Sequence, residues 1–252
     1  MRLADRTIVV TGASSGLGKA MARAFVREGA TTVCSSRTAA TLEAATAEFD
    51  DLPGEAVPIP ADVRSWASVS ALAEWTEEAY GPIDVLVNNA GVYQQTVTGE
   101  GPDPVHEIDV DVWDAVVGTH VRGSFLCTRA VLPAMLERGA GRVVFLSSSM
   151  GQAGRALRSP YVAAKFAIEG LAETLALELE STGVSAVLYR PPRGGVYTEN
   201  LAEYGRGPED FTHGPSVVEA GAVALAVGEG DNGGRYVATD DGTGMTTYDG
   251  RS

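Results

Sequence analysis

The chain has 252 residues, 44% of them hydrophobic and 21% charged, a globular composition that excludes a disordered chain. Its 30 glycines follow no G-X-Y period, which excludes collagen. With 33 acidic against 19 basic residues the net charge is -14, which argues against a nucleic-acid or anionic-membrane partner, since both need basic patches.

The β-branched run at 7–10 predicts a first strand. Leu17, Met21, Ala24 and Phe25 then recur at helical spacing, and Gly29 ends that helix. A second strand is expected over 31–35, a helix over 38–49, and a third strand over 56–60, shortened by its prolines. Residues 65–80 read as a helix with Trp66, Val69, Leu72 and Trp75 or Thr76 on one face. A fourth strand follows at 83–87, a long helix over 111–137 and a fifth strand at 142–146. A helix over 160–182 carries Leu171, Leu175 and Leu179 at i+4 spacing. A sixth strand (184–189), an Ala-rich helix (216–228) and a seventh strand (235–238) complete the series. Such alternation predicts an α/β fold of Rossmann type, doubly wound, with about seven parallel strands and helices on both faces. No linker, repeat or low-complexity tract divides the chain, so one domain over 1–252 is expected.

No apolar run reaches 18 residues, and residues 1–6 lack a signal-peptide core, which predicts a cytoplasmic protein without a membrane span. Cys34 and Cys127 form neither a CxxC nor a zinc pattern and read as reduced packing thiols; no metal site is expected.

Gly12, Gly16 and Gly18 stand between the first strand and the first helix. There a phosphate can approach helix N-terminal N–H groups, and glycine leaves it room. The run Thr11-Gly12-Ala13-Ser14-Ser15-Gly16-Leu17-Gly18 resembles the coenzyme loop of the classical short-chain dehydrogenases/reductases. Asn88-Asn89-Ala90-Gly91 resembles that family's motif after the fourth strand, and Tyr161-Val162-Ala163-Ala164-Lys165 matches its Tyr-x-x-x-Lys. All three occur in the family's order, and the resemblance covers about residues 5–245. It implies a nicotinamide-dependent oxidoreductase acting on a small-molecule carbonyl or alcohol, assembled as a homodimer or homotetramer through the helices at 111–137 and 160–182.

An acidic residue after the second strand would bind the ribose hydroxyls of NAD. This chain has Ser36 and Arg37 there, and a guanidinium can pair a 2′-phosphate, so NADP(H) is favoured over NAD(H). Neither Ser14 nor Ser15 is the basic residue that many NADP-using relatives carry in the loop. Asp62 and Val63 resemble the family's adenine-contacting pair; Asp62 reads equally as a helix N-cap. Asn88, Ala90 and Gly91 are expected to line the cofactor cleft.

Tyr161 and Lys165 are four apart and so share one helix face. A nearby ammonium favours the phenolate and predicts a lowered tyrosine pKa, suiting acid/base work. Ser148 stands thirteen residues before Tyr161, the separation the family shows for its catalytic serine, and its hydroxyl can hold the reacting oxygen. Two positions depart from the pattern. His120 replaces the Asn that helps hold a relay water in the family. A neutral imidazole can donate and accept as that Asn does, or it can charge near pH 6.5 and disfavour the lysine cation. After the sixth strand Pro191 matches the family's proline, but Pro192 replaces its glycine. Val196 and Thr198 resemble the downstream cofactor contacts. Residues 199–215 resemble a substrate lid, and Tyr197, Tyr204 and Phe211 in or beside it face substrate or pack the lid down. Two further readings stay open: a catalytically impaired dinucleotide-binding sensor or partner subunit, and a dehydratase or epimerase, for which the C-terminal region is short.

Overall fold

A computed structural model describes residues 1–198 and 207–249. Strand and helix alternate from the N-terminus: β1 (Thr7–Thr11), α1 (Gly16–Arg27), β2 (Thr31–Ser36), α2 (Ala39–Ala47), β3 (Glu55–Pro60), α3 (Trp66–Tyr80) and β4 (Val85–Asn88). The short α4 (Gln94–Thr98), α5 (Val110–Val117) and α6 (Gly123–Arg138) follow, then β5 (Gly141–Leu146), α7 (Ser159–Glu178), β6 (Val184–Arg190), α8 (Glu219–Ala226), β7 (Arg235–Ala238) and β8 (Met245–Thr247). One sheet runs in the order β3-β2-β1-β4-β5-β6-β7-β8. Its first seven strands pair in parallel and β8 is antiparallel to β7. The Rossmann-type α/β fold expected above is thus observed, with an eighth strand that three residues of weak pattern did not announce.

Strand alternation sorts the core into two layers. Ile8, Val10, Val87, Val144 and Tyr189 point to one face, where Met21 and Phe25 of α1 and Leu225 of α8 cover them. Val9, Leu86, Phe145 and Leu188 point to the other, against Leu72 of α3, Leu126 of α6 and Ile168 of α7. The chain winds outward from β1 to β3, returns to β4, and then winds the opposite way. The crevice at the carboxyl ends of β1 and β4 is the topological switch point, where open α/β sheets bind ligands.

Some local expectations change. β3 is not shortened: it keeps six residues because it is an edge strand, where Pro58 and Pro60 can leave their missing N–H on the unpaired side. On α3, Trp66 and Trp75 are exposed, while Val69, Leu72, Ala73 and Thr76 are buried; the small Ala73 allows the helix to sit close. The long helix at 111–137 is realised as α5 and α6 joined by one π-helical turn, Gly118–Arg122, which contains His120. The helix expected over 216–228 begins as a 3-10 turn, Pro215–Val218. Cys34 and Cys127 are buried free thiols, and burial pushes both up to about 12. Among the described residues no helix is long and apolar enough to cross a membrane, and no cluster could hold a metal ion.

Candidate active site

The glycine loop leaves β1 and turns sharply into α1. Gly12 and Gly16 have φ of +68° and +55°, in the left-handed region that favours glycine. A Cβ on Gly18 would come 2.2 Å from the Gly12 carbonyl oxygen, so the helix can start this close only without a side chain. Ser15 is the extended N-cap of α1, Ser14 is half-buried beside it, and Leu17 packs on the core. The loop is tied to β4 by a residue not singled out above. Asn89 Nδ2 donates to the carbonyls of Thr11 and Gly12 at 2.8 and 3.1 Å, and the Thr11 hydroxyl accepts from the N–H groups of Asn89 and Ala90 at 3.1 Å. Ala90 lies directly on Gly12, where a Cβ would approach its Cα to 2.8 Å.

Beyond β2, Ser36 Oγ is buried with no hydrogen-bond partner among the described residues, and Arg37 is exposed beside it. Asp62 is not an N-cap: Ser65 caps α3 by accepting from the Ser68 N–H at 3.3 Å. Asp62 is gripped by Arg64 through its backbone N–H at 2.9 Å and its guanidinium at 2.7 to 3.2 Å, which holds the carboxyl below the usual range. Val63 turns inward against Gly123. Asn88 also faces the interior: its Nδ2 donates to Thr128 Oγ1 of α6 at 3.1 Å, and its Oδ1 is unpartnered. Past β6, Pro191 is half-buried and Val196 packs on the core. The Thr198 methyl lies on the glycine loop, 3.0 Å from where a Cβ of Gly16 would stand.

Tyr161 and Lys165 lie on the first two turns of α7, and both are buried. Lys165 Nζ donates to the Leu146 carbonyl at 2.6 Å and sits 5.4 Å from the centre of the Tyr161 ring. The expected lowering of the tyrosine pKa is overturned. Burial raises it well above 10, with Tyr93 adding to the rise and Ser148 and Arg158 opposing it. Burial also lowers Lys165 to about 8. The Ser148 hydroxyl faces Tyr161 while accepting from the Met150 N–H at 3.2 Å; Ser149 is exposed, and Ser147 is buried elsewhere.

His120 comes to the same place from the π turn. Its ring meets Tyr161 edge-on at 5.2 Å, and its Nε2 lies 3.2 Å from the Val92 nitrogen and 3.0 Å from the Val92 oxygen. Burial first, then Lys165, pushes its pKa down to about 3, so the imidazole is neutral and the alternative of charging near pH 6.5 fails. Gly91 makes room for the ring: a Cβ there would stand 2.1 Å from His120 Cε1. Tyr93, in the loop after β4, stacks on Tyr161 with centroids 4.6 Å apart, and its hydroxyl donates to the Tyr161 hydroxyl at 3.4 Å. A small pocket lined by Tyr93, Gln94, Leu157, Arg158, Pro160 and Tyr161 opens beside the phenol. Tyr197 and Phe211 pack on each other with ring centres 6.0 Å apart; Tyr204 lies outside the described residues.

The crevice therefore gathers a glycine turn at a helix N-terminus, an unpartnered buried hydroxyl at the end of β2, and a phenol, an amine and a hydroxyl that can work on one oxygen. The unpartnered Ser36 Oγ and the side-chain-free turn fit a dinucleotide's ribose and phosphates. Fold and site together define a dinucleotide-binding α/β oxidoreductase.

Residues 6–208 match the family model described as short chain dehydrogenase. An NADPH-dependent pterin aldehyde reductase from Arabidopsis thaliana is 33% identical over 234 residues, 92% of this chain and 93% of the relative. The 3-oxoacyl-(acyl-carrier-protein) reductase FabG of Thermotoga maritima is 32% identical over 184 residues, 73% of this chain and 72% of the relative. Three further relatives are longer, the match spanning 62%, 64% and 63% of their lengths. A solved structure of an actinorhodin polyketide ketoreductase variant with NADPH is similar with a TM-score of 0.82 at 30% identity, covering 96% of this chain and 99% of that one. The chain belongs to the short chain dehydrogenase family, oxidoreductases acting between CH–OH and C=O groups.

Proposed function

We propose that this protein is an NADP(H)-dependent carbonyl reductase or alcohol dehydrogenase working through Ser148, Tyr161 and Lys165. The observation that carries this reading is the buried Tyr161–Lys165 pair on α7, faced by Ser148 at the mouth of the sheet beside the glycine turn. A nicotinamide dinucleotide would be held by the 12–18 turn, Ser36, Arg37, Asn89 to Gly91, Lys165 and Thr198, and supplies hydride when bound. The rest is the chain's own chemistry. Ser148 donates a hydrogen bond to the substrate oxygen and holds it near the phenol. Tyr161, kept protonated by burial, gives its proton to the carbonyl oxygen in reduction and takes the hydroxyl proton in oxidation. Lys165, with neutral His120 next in line, restores the proton from solvent.

NADP(H) is preferred here because Arg37 is exposed next to Ser36 and no carboxylate follows β2 to repel a 2′-phosphate. The Arabidopsis relative's NADPH dependence and the NADPH in the ketoreductase structure support this. A lid at 199–215, of which 199–206 lie outside the described residues, an oligomer joined through α5 to α7, and a cytoplasmic location belong to the same reading. The exposed Trp113, Phe125 and Leu177 on those helices suit such a contact.

One observation favours a second reading, a dinucleotide-binding sensor without turnover: Tyr93 covers the Tyr161 phenol. A nicotinamide fluorescence titration with a screen of ketones, aldehydes and alcohols separates the two. On a turned-over substrate, Tyr161→Phe is expected to cut kcat by about 100-fold or more while leaving NADPH affinity in place. Full turnover in that variant would sink the mechanism, and tight binding with no turnover of any substrate would favour the sensor.

A further inference from the structure

Glu169 stands one helical turn beyond Lys165 on α7 and is fully buried. Its Oε1 accepts from the Tyr248 hydroxyl at 2.9 Å and from the Ser147 hydroxyl, and its Oε2 pairs with Arg235. Arg235 also reaches Glu173, and Arg190, buried at the end of β6, stacks 4.0 Å above the Tyr248 ring. An ion pair this deep is a poor way to gain stability, because well-packed apolar side chains of the same volume often do as well or better. Its place in the fold offers another reason for it.

Ser147 directly precedes Ser148, and its N–H donates to the Tyr189 carbonyl at 2.7 Å. Gly151, in the turn that Ser148 opens, lies against the stem of the same side chain. A Cβ there would come 3.0 Å from Glu169 Cγ, 3.0 Å from Ser147 Oγ and 3.1 Å from the Lys165 carbonyl oxygen. Among the described residues, the groups that face Lys165 are Tyr161 and Glu169 from α7, neutral His120 from the π turn and the Leu146 carbonyl from β5. Of these, Glu169 carries the negative charge. Glu169 itself faces Ser147, Tyr248, Arg235 and, less closely, Arg190.

We propose that Glu169 is a positioning residue of this site: its carboxylate, ion-paired with Arg235, also supports the Lys165 ammonium one helical turn back on the same face of α7 and, through Ser147, anchors the turn that carries Ser148. Tyr248 attaches the C-terminal end of the chain to the same carboxylate, so β8 is linked to the catalytic helix through one oxygen. The role within catalysis rests on the Ser148–Tyr161–Lys165 reading above; the electrostatic link to Lys165 is measurable without it.

The sequence contains two lysines, Lys19 and Lys165. Protein labelled with 13C at lysine Cε therefore gives two side-chain NMR signals, assigned by Lys19→Arg. In the free protein, Glu169→Gln is expected to lower the Lys165 titration midpoint by about one pH unit or more, and Glu169→Asp to recover most of that change. An unmoved midpoint in Glu169→Gln overturns the proposal. Should that variant not fold, Arg235→Gln alone frees the carboxylate from its ion pair and is expected to raise the Lys165 midpoint; an unmoved midpoint there overturns the proposal equally. Turnover is read separately. A moved lysine with no turnover in the unsubstituted protein sinks the enzymatic reading and leaves the Glu169 link standing; turnover with an unmoved lysine does the reverse.

Discussion

Tyr161 shows how far a residue's chemistry depends on what surrounds it. Four-residue spacing puts Lys165 on its face of α7, but the ammonium turns to the Leu146 carbonyl and the phenol is left to burial, Tyr93 and Ser148. His120 is the second case at this scale. Its native pKa of about 3 lies below the ordinary 6.5, so between those values the unfolded chain binds a proton that the native chain does not. Stability is then fully present above pH 6.5 and is lost as pH falls toward 3, on the order of a few kcal/mol in total. His120→Asn is expected to lose less stability between pH 7 and pH 4.5 than the unsubstituted protein in denaturant titrations. Parallel losses in the two proteins would show that the imidazole is not the buried base described here.

At the scale of elements, strand and helix positions followed the sequence closely because each is written in local periodicity. Where expectation and structure part, neighbours decided. β3 keeps its prolines because it lies on an edge, which strand order sets and composition does not. The 111–137 segment has unbroken helical pattern, yet one π turn at Gly118–Arg122 interrupts it and aims His120 at Tyr161. The α3 N-terminus is held by Ser65 and not by Asp62, whose carboxylate is taken by Arg64. Ser65→Ala is thus expected to cost about 1 kcal/mol in urea denaturation. Asp62→Asn is expected to change NADPH affinity more than stability; a stability loss equal to that of Ser65→Ala would return the capping role to Asp62.

For the whole molecule, the net charge of -14 bears on how an anionic dinucleotide reaches the crevice. Long-range repulsion opposes its approach, and in the function proposed above the attraction of Arg37, Lys165 and the α1 N-terminus acts only at short range. Salt screens the distant charges first, since the Debye length is about 30 Å at 0.01 M and about 10 Å at 0.1 M. Stopped-flow association of NADPH is expected to speed up as salt rises over that interval. Slower association on adding salt would mean that the local cations, and not the net charge, govern capture.

The sequence by itself determined the alternation of strand and helix, the glycine turn, the serine, tyrosine and lysine positions and the absence of an acid after β2, because all of these are set by spacing along the chain. Only the tertiary structure decided that Tyr93 lies over Tyr161, that Asn89 ties the glycine loop to β4, and that the tyrosine pKa rises. It also joined Glu169 to Ser147, Arg235 and Tyr248, residues as far as 79 positions apart. Contacts at such separations, and the desolvation that comes with them, arise when strands β5 to β8 pack beside α7; no local pattern encodes them.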